Sequence, residues 1–296
     1  MNEFQKFSLL ALCVGASTIK HTCAAVAIDS SSTNWTEVAY GSVSPEQGSD
    51  QQTGSAEADL VGTATAAYFF TNFDEGNVND SNDGTLAFRA RVGRDKSPSG
   101  FSGALFVGID ASGNGALDAF VGVNNSGATK KHRVLIYDAV GADNDSPSSL
   151  EFGNKVEEYS ILSSNYNFRP VTTSDVPSGD TLDADGGGQT DYYVSFSLPF
   201  GDLVAVLAAK GVFIDDSSPL RYVVSTATQA NSFNQDIGGV GVNYSELDTW
   251  DSLGATSSSI TADGDSSIGL IPEPATSIYI CSAFAAMMLR RSRANS

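Results

Sequence analysis

Short apolar segments, each bounded by turn-forming residues, recur along the chain and restrict it to a β architecture. Leu86–Val92 alternates apolar and polar residues and places Arg89 and Arg91 on one face, as in an amphipathic strand. Further strands are predicted at Trp35–Tyr40, the end of Ala58–Phe70, Ala104–Ile109, Ala119–Val123, Arg133–Tyr137, Asp191–Leu198 and Arg221–Thr228. One helix is predicted at Pro199–Lys210, with Gly211 able to end it. We therefore predict an all-β fold, a single jelly-roll-like β-sandwich with one short helix.

The acidic composition supports this prediction and limits the partners. Residues 28–270 contain 33 Asp and Glu against 11 Lys and Arg, and 25 of the acids are Asp. Asp favours turns and Glu favours helices, so the ratio indicates a loop-rich β protein. The negative charge argues against nucleic acid as a partner, which needs a basic surface. It also favours bound cations, because self-repulsion weakens a compact fold; a solvated acidic surface is the alternative.

The N-terminus has the pattern of a secretory signal peptide. Phe7–Ala16 is an apolar run, and Ala25-Val26-Ala27 is a small-x-small cleavage site, so we predict a signal peptide at 1–27 that is cut after Ala27. Cys13 and Cys23 would leave with it, and the remaining cysteine, Cys281, lies near the C-terminus. The exported body would then hold no disulfide and no thiolate metal site.

The C-terminus combines a breaker, an apolar run and a basic end. Pro272, Glu273 and Pro274 precede the uncharged segment Ala275–Leu289, and the basic end consists of Arg290, Arg291 and Arg293. At 1.5 Å per residue the segment covers roughly 22 Å, shorter than the ~30 Å hydrocarbon core of a bilayer. The arginines favour a cytoplasmic location for that end. A permanent membrane anchor is one interpretation of this pattern.

The order of these three parts resembles the PEP-CTERM sorting signal of Gram-negative bacteria. The resemblance implies recognition of Pro272, Glu273 and Pro274 by an exosortase-type membrane protease. It further implies a body that crosses the inner membrane, is held briefly by its C-terminus, and then reaches the cell surface or the exopolysaccharide matrix. Residues 271–296 would be the signal, with a transmembrane helix at 275–289, and 252–270, rich in Ser, Thr, Gly and Asp, would be a linker. The sandwich body would occupy 28–251.

Two loops carry carboxylates at the spacing that calcium sites use. The first runs from Asp110 to Asp118, with oxygen side chains at Asp110, Ser112, Asn114 and Asp118 around a glycine turn. It lacks the bidentate Glu of an EF-hand, and a metal-free hairpin turn is the alternative. The second has Asp183, Asp185 and Asp191 beside a run of glycines. We predict calcium as the ion at these loops.

The body also resembles the DOMON and family-9 carbohydrate-binding β-sandwich group. The resemblance rests on the segment 82–92, on Phe106–Asp110 and on Tyr193–Phe200 followed by a helix. It implies sugar or haem binding, and sometimes structural calcium. Haem is not expected, because residues 28–270 contain no methionine and only one histidine, His132. Sugar binding would need exposed rings, for which the candidates are Trp35, Trp250, Tyr159, Tyr166 and Tyr244.

No catalytic motif is evident. His132 follows two lysines outside any recognisable triad, and Gly238-Gly239-Val240-Gly241 lacks the strand–helix context of a phosphate-binding loop. We therefore expect a non-catalytic, calcium-stabilised protein of the cell surface or extracellular matrix, with polysaccharide as a potential partner. A carbohydrate-binding module is the alternative, and a secreted hydrolase with paired carboxylates is a lesser one.

Overall fold

The structure, a computed structural model, describes residues 26–40, 46, 48–53, 55–76, 79–94, 100–127, 133–140, 143–241 and 245–264. Outside the described residues lie the predicted signal peptide up to Ala25, His132, and the sorting signal at 271–296 with Pro272–Pro274 and its arginines. What the sequence indicates for them stays a prediction. Among the described residues, the helices lack the length and hydrophobicity that a bilayer-spanning helix needs.

Within these ranges the chain forms eleven strands and two α-helices. In chain order the strands are β1 (Thr36–Glu37), β2 (Phe69–Asp74), β3 (Thr85–Val92), β4 (Ala104–Asp110), β5 (Ala119–Asn124), β6 (Arg133–Ala139), β7 (Phe152–Ser160), β8 (Tyr166–Pro170), β9 (Tyr192–Pro199), β10 (Arg221–Ala227) and β11 (Asp236–Ile237). The helices are α1 (Phe200–Ala208) and α2 (Trp250–Leu253).

The strands form two sheets in which every pairing is antiparallel. The five-stranded sheet has the order β1-β2-β3-β9-β8, and the six-stranded sheet has the order β11-β10-β4-β5-β6-β7. A shared apolar core joins them: Phe88 and Phe196, paired across β3 and β9, belong to the same buried cluster as Val107, Val121 and Ile136. The prediction of a mostly β protein with few helices is confirmed, and the two sheets around one core agree with an all-β sandwich.

The outer faces of both sheets are covered as well. Phe106 and Phe120 of the six-stranded sheet pack in a second cluster with Trp250, while Ile28 and Trp35 form part of a third cluster against the five-stranded sheet. Central strands are therefore buried on both faces, which explains why β4 reads as a continuous apolar run. Burial of each large apolar side chain contributes roughly 1.5–3 kcal/mol.

The polar face of β3 lies under this outer layer. Leu86, Phe88 and Ala90 belong to the central core, whereas Arg89 and Arg91 are on the opposite face and have 0% exposure. The predicted alternation is thus present, but solvent does not reach the arginines. Each guanidinium must find its partners within the protein.

The predicted helix is present as α1. It begins after Pro199, whose φ of −62° suits a first helical turn, and it buries Leu203 and Leu207 in the central core. Gly211 has a φ of +83°, as expected of a glycine just beyond a helix. The short helix α2 was not predicted; the side chain of Thr249 accepts a hydrogen bond from the Ser252 N–H and caps it.

Strands β7 and β8 and the two-residue strand β11 were not predicted from the sequence. Residues Phe152–Ser160 include Lys155, Glu157 and Glu158, so the segment lacks the apolar alternation by which a half-buried strand is recognised. The exposure of its central residues explains this composition. Strand β2 begins at Phe69 and continues to Asp74, beyond the predicted end at Phe70.

The predicted boundary between body and linker needs correction. Residues 252–264 pack against the sandwich: Ile260 is 3% exposed and bridges Leu220, and Ser257 bridges Tyr40. The Ser257 hydroxyl also accepts a hydrogen bond from the Tyr222 N–H at 2.9 Å. The folded body therefore extends at least to residue 264. The composition suggested a linker because Ser, Thr and Gly are common both in flexible linkers and in loops that pack against a folded body.

The sheet edges are short, charged or closed by proline. β1 and β11 each consist of two residues, and they end one edge of each sheet. On the opposite edges lie β8, which ends at Pro170, and β7, whose central residues are exposed and charged. The pairing of β6 with β7 also shifts register between Ile136 and Tyr137.

Candidate metal centre

The second predicted loop brings its three carboxylates together. Asp183, Asp185 and Asp191 each place a carboxylate oxygen within 4.8 Å of the others. The loop can turn back on itself because Gly186 and Gly188 have φ values of +69° and +79°. Asp191, immediately before β9, is buried, and the other two residues are half-buried. Spacing in the sequence thus identified side chains that converge in the structure.

Asp191 is held by a buried ion pair. Arg91 on β3 donates from Nε to Asp191 Oδ2 at 2.8 Å, and its Nη2 lies 2.6 Å from the same oxygen, to which the Ala184 N–H also donates at 2.8 Å. Burial nevertheless raises the pKa of Asp191 to about 7, against the opposing effects of Ala184 and Arg91. Asp191 Oδ1 has no hydrogen-bond partner among the described residues. One fully buried carboxylate oxygen is therefore left available.

Asp185 fits closely against two glycines. A Cβ at Gly48 would lie 2.7 Å from Asp185 Cα, and one at Gly93 would lie 2.8 Å from Asp185 Oδ2. Burial, followed by the neighbouring Asp183 carboxyl, raises the pKa of Asp185, and the Gly187 N–H opposes the shift. The glycines allow the loop to pack onto the body with its carboxylates next to one another.

This arrangement suits a hard divalent cation. Oxygen is the only ligand type in the group, and calcium prefers carboxylate oxygens. If all three carboxylates are ionised, the ion pair with Arg91 balances one charge, and Arg94 offsets only part of the two negative charges that remain. A divalent cation would neutralise them and use the unpartnered Oδ1 atoms of Asp183 and Asp191.

The first predicted loop has the geometry of a hairpin turn. Asp110 accepts hydrogen bonds from the loop N–H groups of residues 113, 114 and 115, and Asp118 accepts them from residues 111 and 112. Asn114 caps the Ala116 N–H, and Arg221 lies 3.3 Å from Asp110. The oxygens of Asp110, Asn114 and Asp118 thus serve the loop's own backbone, with Ser112 exposed. This geometry corresponds to the alternative of a turn between β4 and β5.

A second convergent acidic group was missed in the sequence. Glu46, Asp50 and Asp236 also place oxygens within 4.8 Å of one another, and all three are buried. Asp236 lies 186 positions after Asp50, so no local motif could reveal the group. One signal was present: the sequence has no lysine or arginine between Lys20 and Arg89. Acids in that stretch can form ion pairs only with lysine or arginine residues from distant parts of the chain.

The candidate sugar-stacking rings are mostly internal. Trp35 and Trp250 are 6% and 0% exposed. Arg89 lies over the Trp35 ring at 4.1 Å, and Trp250 Nε1 donates to the Asn144 carbonyl. Tyr159 and Tyr166 are half-buried, and Tyr159 donates its hydroxyl to Asp202. The two tryptophans therefore act in packing, and Tyr244 lies outside the described residues.

Comparison with protein-family models, with curated proteins and with solved structures finds no match to this chain.

Proposed function

We propose that the chain is an exported, exosortase-processed and non-catalytic protein of the cell surface or the exopolysaccharide-rich extracellular matrix. Its body, a jelly-roll-like sandwich between a cleaved signal peptide and a temporary C-terminal transmembrane helix, is stabilised by calcium at Asp183, Asp185 and Asp191. Polysaccharide is the proposed surrounding material rather than a substrate.

One observation carries the calcium part of this proposal. Asp191 is fully buried, keeps one oxygen without a partner, and lies with Asp183 and Asp185 in a group whose charge exceeds that of Arg91. Negative charge beyond what Arg91 compensates is costly in a group that is at least half-buried, and a bound cation removes that cost. Calcium sites of extracellular modules bind with Kd values of about 10⁻⁴–10⁻³ M, the range proposed for this site.

The sorting part depends on the order of residues at the C-terminus. The Pro-Glu-Pro motif, the apolar run and the arginines match a signal for removal by a membrane protease. A doubly tagged chain, with one epitope after Ala27 and one after Ser296, tests this in a host with an exosortase-type protease. We expect loss of the C-terminal epitope and delivery of the body to the surface. Replacing Glu273 with Ala should retain both epitopes at the inner membrane. Persistence of the C-terminal epitope on the surface protein would contradict processing.

A thermal melt tests the calcium part. Calcium at 100 times its Kd adds about 2.7 kcal/mol, which corresponds to roughly 5–11 °C for a body of this size. Asp183→Asn should reduce this calcium-dependent shift. The matched control is Asp248→Asn, the same change at an exposed position. An Asp183→Asn shift equal to that of the unmodified protein would refute the site.

A further inference from the structure

A second acidic group lies where the segment 46–60 meets β11. Glu46, Asp50 and Asp236 form it, and Asp59 lies beside them. Their exposed fractions are 5%, 8%, 4% and 0%, respectively. Charged residues are almost never buried to this degree unless they are paired or bind a metal.

Backbone donors satisfy only some of the oxygens in this group. Among the described residues, these hydrogen bonds include Gly239 N–H to Glu46 Oε2, Leu60 N–H to Asp236 Oδ2 at 2.6 Å, and Ser49 N–H to Asp59 Oδ2 at 2.7 Å. Four other buried oxygens have no partner among the described residues: Glu46 Oε1, Asp50 Oδ1, Asp50 Oδ2 and Asp59 Oδ1. Asp50 is thus more than nine-tenths buried with both carboxylate oxygens unpaired.

No cation of the described chain compensates these acids. None of the ion pairs among the described residues involves Glu46, Asp50, Asp59 or Asp236. Burial raises the pKa values of Glu46 and Asp236 well above their ordinary range, and the neighbouring carboxylates raise them further. The negative charge is therefore costly unless a cation from solution shares the site.

A cavity gives an ion access to the group. It has a volume of about 420 Å³, and its lining includes Asp50 and Asp236 together with Gln51, Gln52 and Gln235. Gln51 Oε1 is another buried oxygen without a partner in the described part of the chain. The site thus offers carboxylate and amide oxygens together with room for water. Hard divalent cations prefer such ligands.

We infer that Glu46, Asp50 and Asp236, with Asp59 beside them, form a second binding site for a hard divalent cation such as calcium. The ion ties Glu46, Asp50 and Asp59 to β11, next to the backbone hydrogen bond from the Gln52 N–H to the Gln235 carbonyl at 3.0 Å. The inference rests on the proposed function only for the choice of calcium, since the residues differ from those of the Asp183 group.

Calorimetric titration of the mature protein with calcium chloride, after removal of metals with EDTA, tests this site. We expect two bound ions in the unmodified protein and one in Asp50→Asn. Asp183→Asn should lose the other ion, and Asp248→Asn should keep both. Two ions in Asp50→Asn would overturn the inference. One ion that only Asp183→Asn removes would also overturn it and leave the proposed function intact. One ion that only Asp50→Asn removes would support it and refute the Asp183 site.

The melting temperature distinguishes a cation site from a purely structural acid. In EDTA, Asp50→Asn should melt above the unmodified protein, because the amide removes buried negative charge. In calcium the order should reverse. A variant that melts lower by the same amount in both media would overturn the inference. If Asp50→Asn does not fold, Glu46→Gln takes its place, and crystals grown with manganese should give an anomalous peak between Glu46 and Asp236. The lack of that peak would count against the site.

Discussion

Removing Arg91 from its buried ion pair with Asp191 should strongly destabilise the calcium-free protein, because it leaves a buried carboxylate without its cation. Both side chains have 0% exposure, and Nη2 lies 2.6 Å from Oδ2. Replacing Arg91 with Met keeps an unbranched stem but leaves a buried carboxylate beside Asp183 and Asp185. Removing one partner of a buried pair typically costs 3–5 kcal/mol. At about 2–4 °C per kcal/mol for a body of this size, the melting temperature should fall by roughly 6–20 °C.

Urea unfolding, followed by tryptophan fluorescence, measures this cost. Trp35 and Trp250 are buried in the two outer layers and report on both sides of the fold. The experiment is done in EDTA at a pH well above the folded pKa of Asp191, about 7, because loss of Arg91 raises this pKa further and protonation of the carboxylate would reduce the cost. Arg133→Met is the matched control; its pair with Glu158 is about one-third exposed, and the change should cost less than about 1 kcal/mol.

Two outcomes would refute this reasoning. One is an Arg91→Met cost below about 1 kcal/mol in EDTA, no larger than that of an exposed pair. The other is a cost that calcium leaves unchanged, since the ion should supply part of the charge that Arg91 provided. Adding Asp191→Asn to Arg91→Met should recover stability, because it removes the uncompensated carboxylate.

Three further predictions concern the fold itself. Gly122→Ala should lower stability by more than about 1 kcal/mol in urea unfolding, because the added Cβ would lie 2.3 Å from the Leu105 carbonyl oxygen; an unchanged midpoint would contradict this packing. Asp175→Asn should cost about 2–4 kcal/mol at neutral pH, because Asp175 accepts two hydrogen bonds from Arg169 at 2.7 Å. The pKa of Asp175 lies below its usual range. The stabilisation by its charge is therefore present above about pH 4 and is lost as the pH falls further. If Asp175→Asn lowers the free energy of unfolding by the same amount down to acidic pH, the charge is not the cause. A chain ended after Asp251 should lose cooperative unfolding, since Ile260 and its neighbours pack in the body; a melt equal to that of the full chain would support a linker instead.

The secondary structure was predictable where the residues of a segment alone determine its conformation and its buried face. Leu86–Val92, Ala104–Ile109 and Pro199–Lys210 appear as β3, β4 and α1 within one or two residues, because alternation, apolar content and a proline–glycine pair determine them locally. Segment Phe152–Ser160 forms a strand only because β6 offers a partner edge. The residues of the segment do not by themselves predict that pairing.

The candidate sites also differ in whether their residues are close together or far apart in the chain. Asp183, Asp185 and Asp191 lie in one loop, so spacing could predict their convergence. The Asp110 loop has similar spacing, but its backbone N–H groups turn inward and take up the carboxylates. Spacing alone does not tell these two outcomes apart. The burial of Arg91 and the meeting of Asp50 with Asp236 depend on contacts between residues far apart in the chain.

The edges of the two sheets have a consequence for a protein kept at high local concentration, as the proposed matrix location requires. The edge strands offer little continuous backbone for another copy to pair with. β1 and β11 have two residues each, β8 ends at Pro170, and β7 is charged and shifts register against β6. Neighbouring molecules should therefore remain individually folded instead of joining edge to edge into fibrils. Any association between them would then depend on side chains and shared cations, which chelation can reverse.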